Sequence, residues 1–290
     1  MWVIYGLLTA SLRAALVLIQ EKVNMEAITF AIWTKVCCLI FLLPFIIYNG
    51  IPNDPLFYLF TFCSALIWSI ADIIMWRSIP IIGSGVFSRT IPLSVIISFL
   101  LWFLIDPSLF EKYANQPTIS ALILGVLVLS TYFAIRLKKC TVTSSAVRRV
   151  WFVIAAFAVS PIIAMLATQH APIQQGAWNF VFFEALFMLM LWAVYIRIKK
   201  PIKVSSLISI QNFKFGIISG IIMALMVTTY IYGLYHTENP GYILALISLE
   251  AAFVSFINHL RKKKDDSDIW AGLGVVACVI VLIILKTQIQ

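Results

Sequence analysis

The stretch "AITFAIWTKVCCLIFLLPFIIY" (27–48) holds one charged side chain, Lys35, in 22 positions. As a helix rising 1.5 Å per residue it is about 33 Å long, enough to cross a hydrocarbon core about 30 Å thick. No other regular structure in a single segment satisfies its own backbone polar groups without water. The stretch is therefore read as a transmembrane helix, and the rest of the chain follows the same pattern. Of the 290 residues, 62% are hydrophobic and 11% charged, and the mean hydropathy is +1.01. Soluble domains carry roughly a quarter charged residues, so the composition excludes an ordinary soluble domain.

Apolar runs of this length predict ten spans, near 2–20, 25–48, 56–77, 83–105, 117–135, 150–168, 175–197, 213–235, 241–260 and 268–286. The run from Trp2 to Gln20 has no basic leader and no small-residue cleavage site, so it is read as a retained first helix. The formal net charge of +9 is not a nucleic-acid footprint, because the basic residues gather in three short connections. The fifth holds Arg136, Lys138, Lys139, Arg148 and Arg149; the seventh holds Lys199, Lys200 and Lys203; the ninth holds "RKKK" (261–264). Even-numbered connections hold Lys112 and no other basic residue. The positive-inside rule places odd connections in the cytoplasm and both termini on the opposite side, as for a multi-pass protein of a bacterial inner (plasma) membrane. The cysteines have neither a paired extracellular arrangement nor ligand spacing, so no disulfide, metal or cofactor is expected.

Shifting the sequence by 149 lays residues 1–35 on 150–184 without a gap, with Trp2 on Trp151, Ser11 on Ser160, Ala15 on Ala164 and Gln20 on Gln169. A shift near 160 places "RTIPLSVIISF" (89–99) on "SLEAAFVSFIN" (248–258). Five spans per copy means that the second copy enters the membrane from the other side. The expectation is an all-α membrane protein of ten helices in two inverted five-helix repeats, 1–140 and 146–290. In such proteins a solute site lies near the midplane between repeats.

With these repeats, and with "IPLSVIISFLLWFLID" (91–106), "ALISLEAAFVSF" (245–256) and "AGLGVVACVIVLIIL" (271–285), the chain resembles the drug/metabolite transporter superfamily, of the EamA-like type. It departs from that pattern with Ala251 where a proline often follows the ninth-span glutamate, and with Asp106 and Arg261 at positions that often hold glutamate. The resemblance implies a cavity lined mainly by spans 1, 3, 4, 6, 8 and 9, favouring Arg13, Arg89 and Glu250 as cavity residues over Lys35 and Glu184.

Ionisable residues inside a membrane are costly and are functional candidates by default. Arg13, Lys35, Glu184 and Glu250 fall near span centres, Arg89 about one and a half turns from one, and Asp72 nearer an end. Three are cationic and three anionic, which also suits mutual structural pairing. The 149 shift puts Lys35 on Glu184, marking them as a gating or inter-repeat pair. Arg13, Trp68, Arg89, Tyr230 and Glu250 are the expected substrate-binding set, with Asp72 and Glu250 as coupling carboxylates. Pro92 and Pro161 are read as hinges and Pro44 as an ordinary kink. Trp2, Trp76, Trp102, Trp151, Trp178, Trp192 and Trp270 lie toward span ends and read as interface anchors.

The sequence reading is a secondary transporter, not an enzyme, for a small polar or zwitterionic metabolite such as an amino acid. Its expected partners are that solute and membrane lipid, with no nucleic acid, and it is a monomer or homodimer. The rivals are a lipid flippase and a membrane-embedded enzyme of lipid metabolism. Three scattered histidines and the absence of a nucleophile motif argue against the enzyme. C-terminal fusions test the topology: alkaline phosphatase should be active and a fluorescent protein dark, and the reverse pattern would overturn it.

Overall fold

The computed structural model describes residues 1–23, 25–137, 144–199, 210–261 and 269–288, and these form helices joined by short connections. In chain order the helices are α1 (Trp2–Val23), α2 (Ala27–Asn49), α3 (Pro55–Ile82), α4 (Ser84–Thr90), α5 (Leu93–Ile105), α6 (Pro107–Ala114) and α7 (Pro117–Arg136). They continue with α8 (Ser144–Thr168), α9 (Ile173–Lys199), α10 (Ile210–Tyr235), α11 (Pro240–Ile247), α12 (Glu250–Leu260) and α13 (Ile269–Lys286). Among the described residues nine segments are long and apolar enough to cross a membrane, α4 with α5 and α11 with α12 each counting as one, and Trp270–Lys286 is a shorter apolar helix. The protein is a multi-pass integral membrane protein. Large apolar side chains such as Ile40, Ile47, Leu104, Val194 and Ile284 are exposed, as a lipid-facing surface requires.

Helix starts follow from local chemistry. Asp54 accepts from the Leu56 N–H, Asp106 from Leu109 and Asn239 from Gly241, and each is followed by a proline whose missing N–H costs nothing there. The Leu56 N–H and the His170 side chain hold the Asp54 carboxyl below the usual carboxylate range. The Ser108 hydroxyl and Leu109 N–H do the same for Asp106. The third span runs on to Ile82, past the expected end at 77, because its connection to α4 is the single residue Gly83. Gly83 has φ +84°, a region that residues with a Cβ avoid. Glu21 then accepts from the Ser84 hydroxyl at 2.8 Å, tying the end of α1 to this turn.

The fourth and ninth spans are broken near their middles. At Ile91–Pro92 the proline lacks an N–H, the turn tightens through Ser94 N–H to Ile91 O and Val95 N–H to Pro92 O, and Thr131 of α7 donates to the Pro92 carbonyl at 3.2 Å. At Ser248–Leu249 the same tightening, Leu249 N–H to Leu246 O and Ala251 N–H to Ser248 O, occurs without a proline. Pro92 thus lies at a break, whereas Pro44 and Pro161 lie inside continuous helices.

The spans pack as pairs around a common centre. α10 lies against both α1 and α2, and α3 against both α8 and α9. α2 packs on α9, α5 on α8 and α11, α4 on α12, α7 on α13, and α1 on α11 and α12. Close approach of α10 to α2 rests on Gly220: a Cβ there would fall 2.6 Å from the Cys37 Cβ and 2.8 Å from the Cys38 backbone nitrogen. Next to this contact Thr34 and Ser219 share a hydrogen bond of 2.9 Å. Gly220→Ala should lower the unfolding free energy by about 1–3 kcal/mol, since backbone atoms cannot yield easily. Gly125→Ala, with nothing within 4 Å, should not lower it. Thermal unfolding of the detergent-purified variants checks both.

Candidate functional site

At the centre of the bundle lies a cavity of about 80 Å³, room for several waters or part of a small solute. Its walls come from α1, α2, α3, α8, α9, α10 and α11. Arg13, Lys35, Asp72 and Glu184 face it, together with Trp68 and Tyr230. Thus α2 and α9 contribute charged walls directly, and the fourth span contributes none.

Arg13 and Glu250 form a buried ion pair, with side-chain exposures of 8% and 1%, in which the Arg13 Nε donates to Glu250 Oε2. Glu250 is the first residue of α12, where the break in the ninth span leaves a fresh helix N-terminus and where a carboxylate is favoured. The Arg13 guanidinium carbon sits 3.9 Å from the centroid of the Phe157 ring. Its Nη2 is buried without a hydrogen-bond partner. Glu250 therefore stands behind Arg13 and does not line the cavity.

Lys35 pairs with Asp72 at 3.6 Å, and both are nearly fully buried. Glu184 lies within electrostatic reach of Lys35. Its direct partner is the Ser64 hydroxyl, which donates to Oε1 at 2.6 Å. Ser64 in turn meets Ser160 at 3.3 Å, and the Trp68 indole N–H donates to Ser160 Oγ at 2.6 Å. Trp68 also packs edge-on against Phe157, with centroids 4.7 Å apart. The structure thus brings together Arg13, Lys35, Trp68, Asp72, Glu184 and Tyr230, with Pro161 on the same wall.

Arg89 is fully buried elsewhere, its Nε donating to the Gly85 carbonyl at 2.8 Å within α4. Pro92 is likewise off the wall. Trp76, Trp102 and Trp192 are buried, not interfacial, and Trp192 donates to the Ser69 carbonyl at 2.7 Å. Position along a span fixes depth but not which way the ring turns. Trp151 and Trp270 are exposed. Ser64, Ser160, Phe157 and the cavity methionines Met75, Met223 and Met226 were not singled out by sequence reasoning. In a chain this apolar, hydroxyl and thioether residues recur in every span and carry no local signal.

No protein-family model matches the chain, and no curated protein matches it. The site is read from its own geometry. Among the described residues no group of three metal-ligating side chains comes together. Charges buried as pairs are tolerable, but a partner removed alone leaves an uncompensated ion, at about 3–5 kcal/mol. Glu250→Gln should therefore lower the unfolding free energy by about that amount, and Arg13→Met with Glu250→Gln should recover most of it. Thermal unfolding of both variants decides this. A double variant no better than the single would show that the two residues do not act as a unit.

Proposed function

We propose that the chain is a secondary transporter of the EamA-like plan, moving a small polar or zwitterionic metabolite by alternating exposure of the central cavity. The observation that carries this reading is the central cavity, whose charged walls come from both halves of the chain. Its two-fold plan is supported by the packing. Shifting by five spans turns first-with-eighth into sixth-with-third, second-with-eighth into seventh-with-third, and fourth-with-sixth into ninth-with-first, and all six contacts occur. Second-with-seventh, fourth-with-ninth and fifth-with-tenth are their own images and also occur.

The two broken spans, the fourth and the ninth, correspond under the same shift. Interrupted helices in matching positions of two halves are the usual surroundings of a transporter site. For a zwitterion the unpartnered Nη2 of Arg13 is the carboxylate-binding position, with the ammonium group held toward the rings of Trp68 and Tyr230. Lys35 and Asp72, sharing one ion pair between α2 and α3, serve as the connection beneath them. Both termini and the even-numbered connections belong on the non-cytoplasmic side in this reading.

A second reading, lipid movement, is favoured by one feature. A pocket of about 470 Å³ lies between α1, α10 and α12, apolar along Leu18, Ile218 and Ile257, with Lys22 and Arg261 toward one end. A thermal-shift screen of the purified protein against amino acids, nucleosides, nucleotides and quaternary amines tests the leading proposal, followed by counterflow of any hit in liposomes. A stabilising amino acid that exchanges across the bilayer is the expected result. Transbilayer movement of labelled phospholipid without solute counterflow would replace it with the second reading.

A further inference from the structure

The charges facing the cavity, with the residue paired behind them, do not cancel. Two cations, Arg13 and Lys35, meet three carboxylates, Asp72, Glu184 and Glu250. Arg13 is engaged by Glu250 and Lys35 by Asp72. Among the described residues Glu184 has no cation within 4.0 Å. The groups that face it are Lys35 and Cys38 from α2, Ser64 and Asp72 from α3, and Tyr230 from α10, with Ser160 of α8 one hydrogen bond further on. Each is neutral, anionic or already paired. Arg89 lies off the cavity. The site thus holds one carboxylate more than it has cations, and an unbalanced charge inside a membrane costs several kcal/mol, so one more positive charge belongs here.

The surroundings specify what carries it. Trp68, Phe157, Phe180 and Tyr230 supply rings around the cavity, and Met223 and Met226 supply pliable apolar surface. Aromatic faces attract an ammonium, and thioethers mould to an irregular apolar body. The chain from Trp68 through Ser160 and Ser64 ends on Glu184 Oε1 and fixes the carboxylate in place.

We infer that Glu184 is the docking point for a single ammonium group on a compact, largely apolar amine, and that this group and a proton occupy the carboxylate alternately. The inference rests on the transport reading for its biological role but not for its test. In the balanced step, the protonated carboxyl gives its proton to solvent as the ammonium arrives, and no covalent bond to the solute forms or breaks. A zwitterion brings no net charge, so it leaves the proton on the site. The cavity thereby distinguishes an amine from the amino acid of the same skeleton by one proton released.

The test is calorimetric titration of the full-length protein in lipid nanodiscs with phenethylamine, phenylalanine and 3-phenylpropionate, which share a ring and differ in charge. Repeating each titration in buffers of different ionisation enthalpy counts protons. Phenethylamine should bind with release of about one proton and tighten about tenfold per pH unit while the empty site is protonated. In Glu184→Gln its affinity should fall at least tenfold and the pH dependence should vanish, while phenylpropionate should bind no more weakly than to the wild type. Phenethylamine that fails to bind the wild type, or binds without proton release and with a flat pH dependence, overturns the inference. That readout does not depend on the variant folding. Binding with proton release but without counterflow in liposomes would leave the inference standing and remove the transport function.

Discussion

The Arg13–Glu250 ion pair joins the first span to the ninth at the point where the ninth breaks, and the shape of the centre depends on it. A broken helix inside a membrane leaves backbone groups that lipid cannot satisfy. Here the tightened turn at Ser248–Leu249 satisfies part of them, and the Glu250 carboxylate meets the positive end of α12. That carboxylate would itself be prohibitive without Arg13, and Arg13 in turn is covered by the Phe157 ring. Three elements far apart in sequence are thereby held together at one depth. The cavity lies beside them, with Leu244 and Ile247 of α11 closing one side of it.

The spans were legible because crossing a membrane demands length and apolarity, and both are written residue by residue. The breaks were legible only in part. Pro92 announces the one in the fourth span, but Ser248–Leu249 contains nothing that hydropathy can register. The short helix α6 over 107–114 was missed because it reads as a polar connection, although Asp106 followed by Pro107 is a helix start. Shifting the sequence by 149 compares positions along the spans, yet position along a span is one coordinate of three. It related Lys35 to Glu184, while the rotation of α3 about its axis made Asp72 the direct partner of Lys35. The resemblance to a known family pointed to Arg89 as a cavity residue, but its side chain turns back onto its own helix at Gly85.

Hydroxyl groups make up the part of the site least visible in advance. Ser and Thr cost little in a transmembrane helix because they return a hydrogen bond to a carbonyl one turn back. Thr9, Thr61 and Ser219 all do so. The same side chains also reach across helices: Thr9 meets Thr229, Thr34 meets Ser219, and Ser64 meets both Ser160 and Glu184. Nothing in the local sequence separates a serine that serves only its own helix from one that orients a carboxylate. That choice is made by helix packing, and here by the close approach of α3 to α8.

The contacts that close the face formed by the second, fourth, sixth and eighth connections are of another kind. Asp54 meets His170 at 2.8 Å, Lys112 meets Glu238 at 3.3 Å, the Tyr235 hydroxyl donates to the Ala171 carbonyl at 2.9 Å, and Asn179 donates to the Gly50 carbonyl at 2.8 Å. The Asp54–His170 contact and the Lys112–Glu238 ion pair are both partly exposed, and an exposed ion pair contributes about 0–1 kcal/mol. Separating the buried pairs at the midplane would instead strand ions in a dry interior, at several kcal/mol apiece. Displacements of the spans are therefore resisted more at the level of Arg13 and Lys35 than at this face. A bundle with that gradient of cohesion is held more firmly at its middle than at this face, because water replaces each lost contact here and cannot do so at the centre.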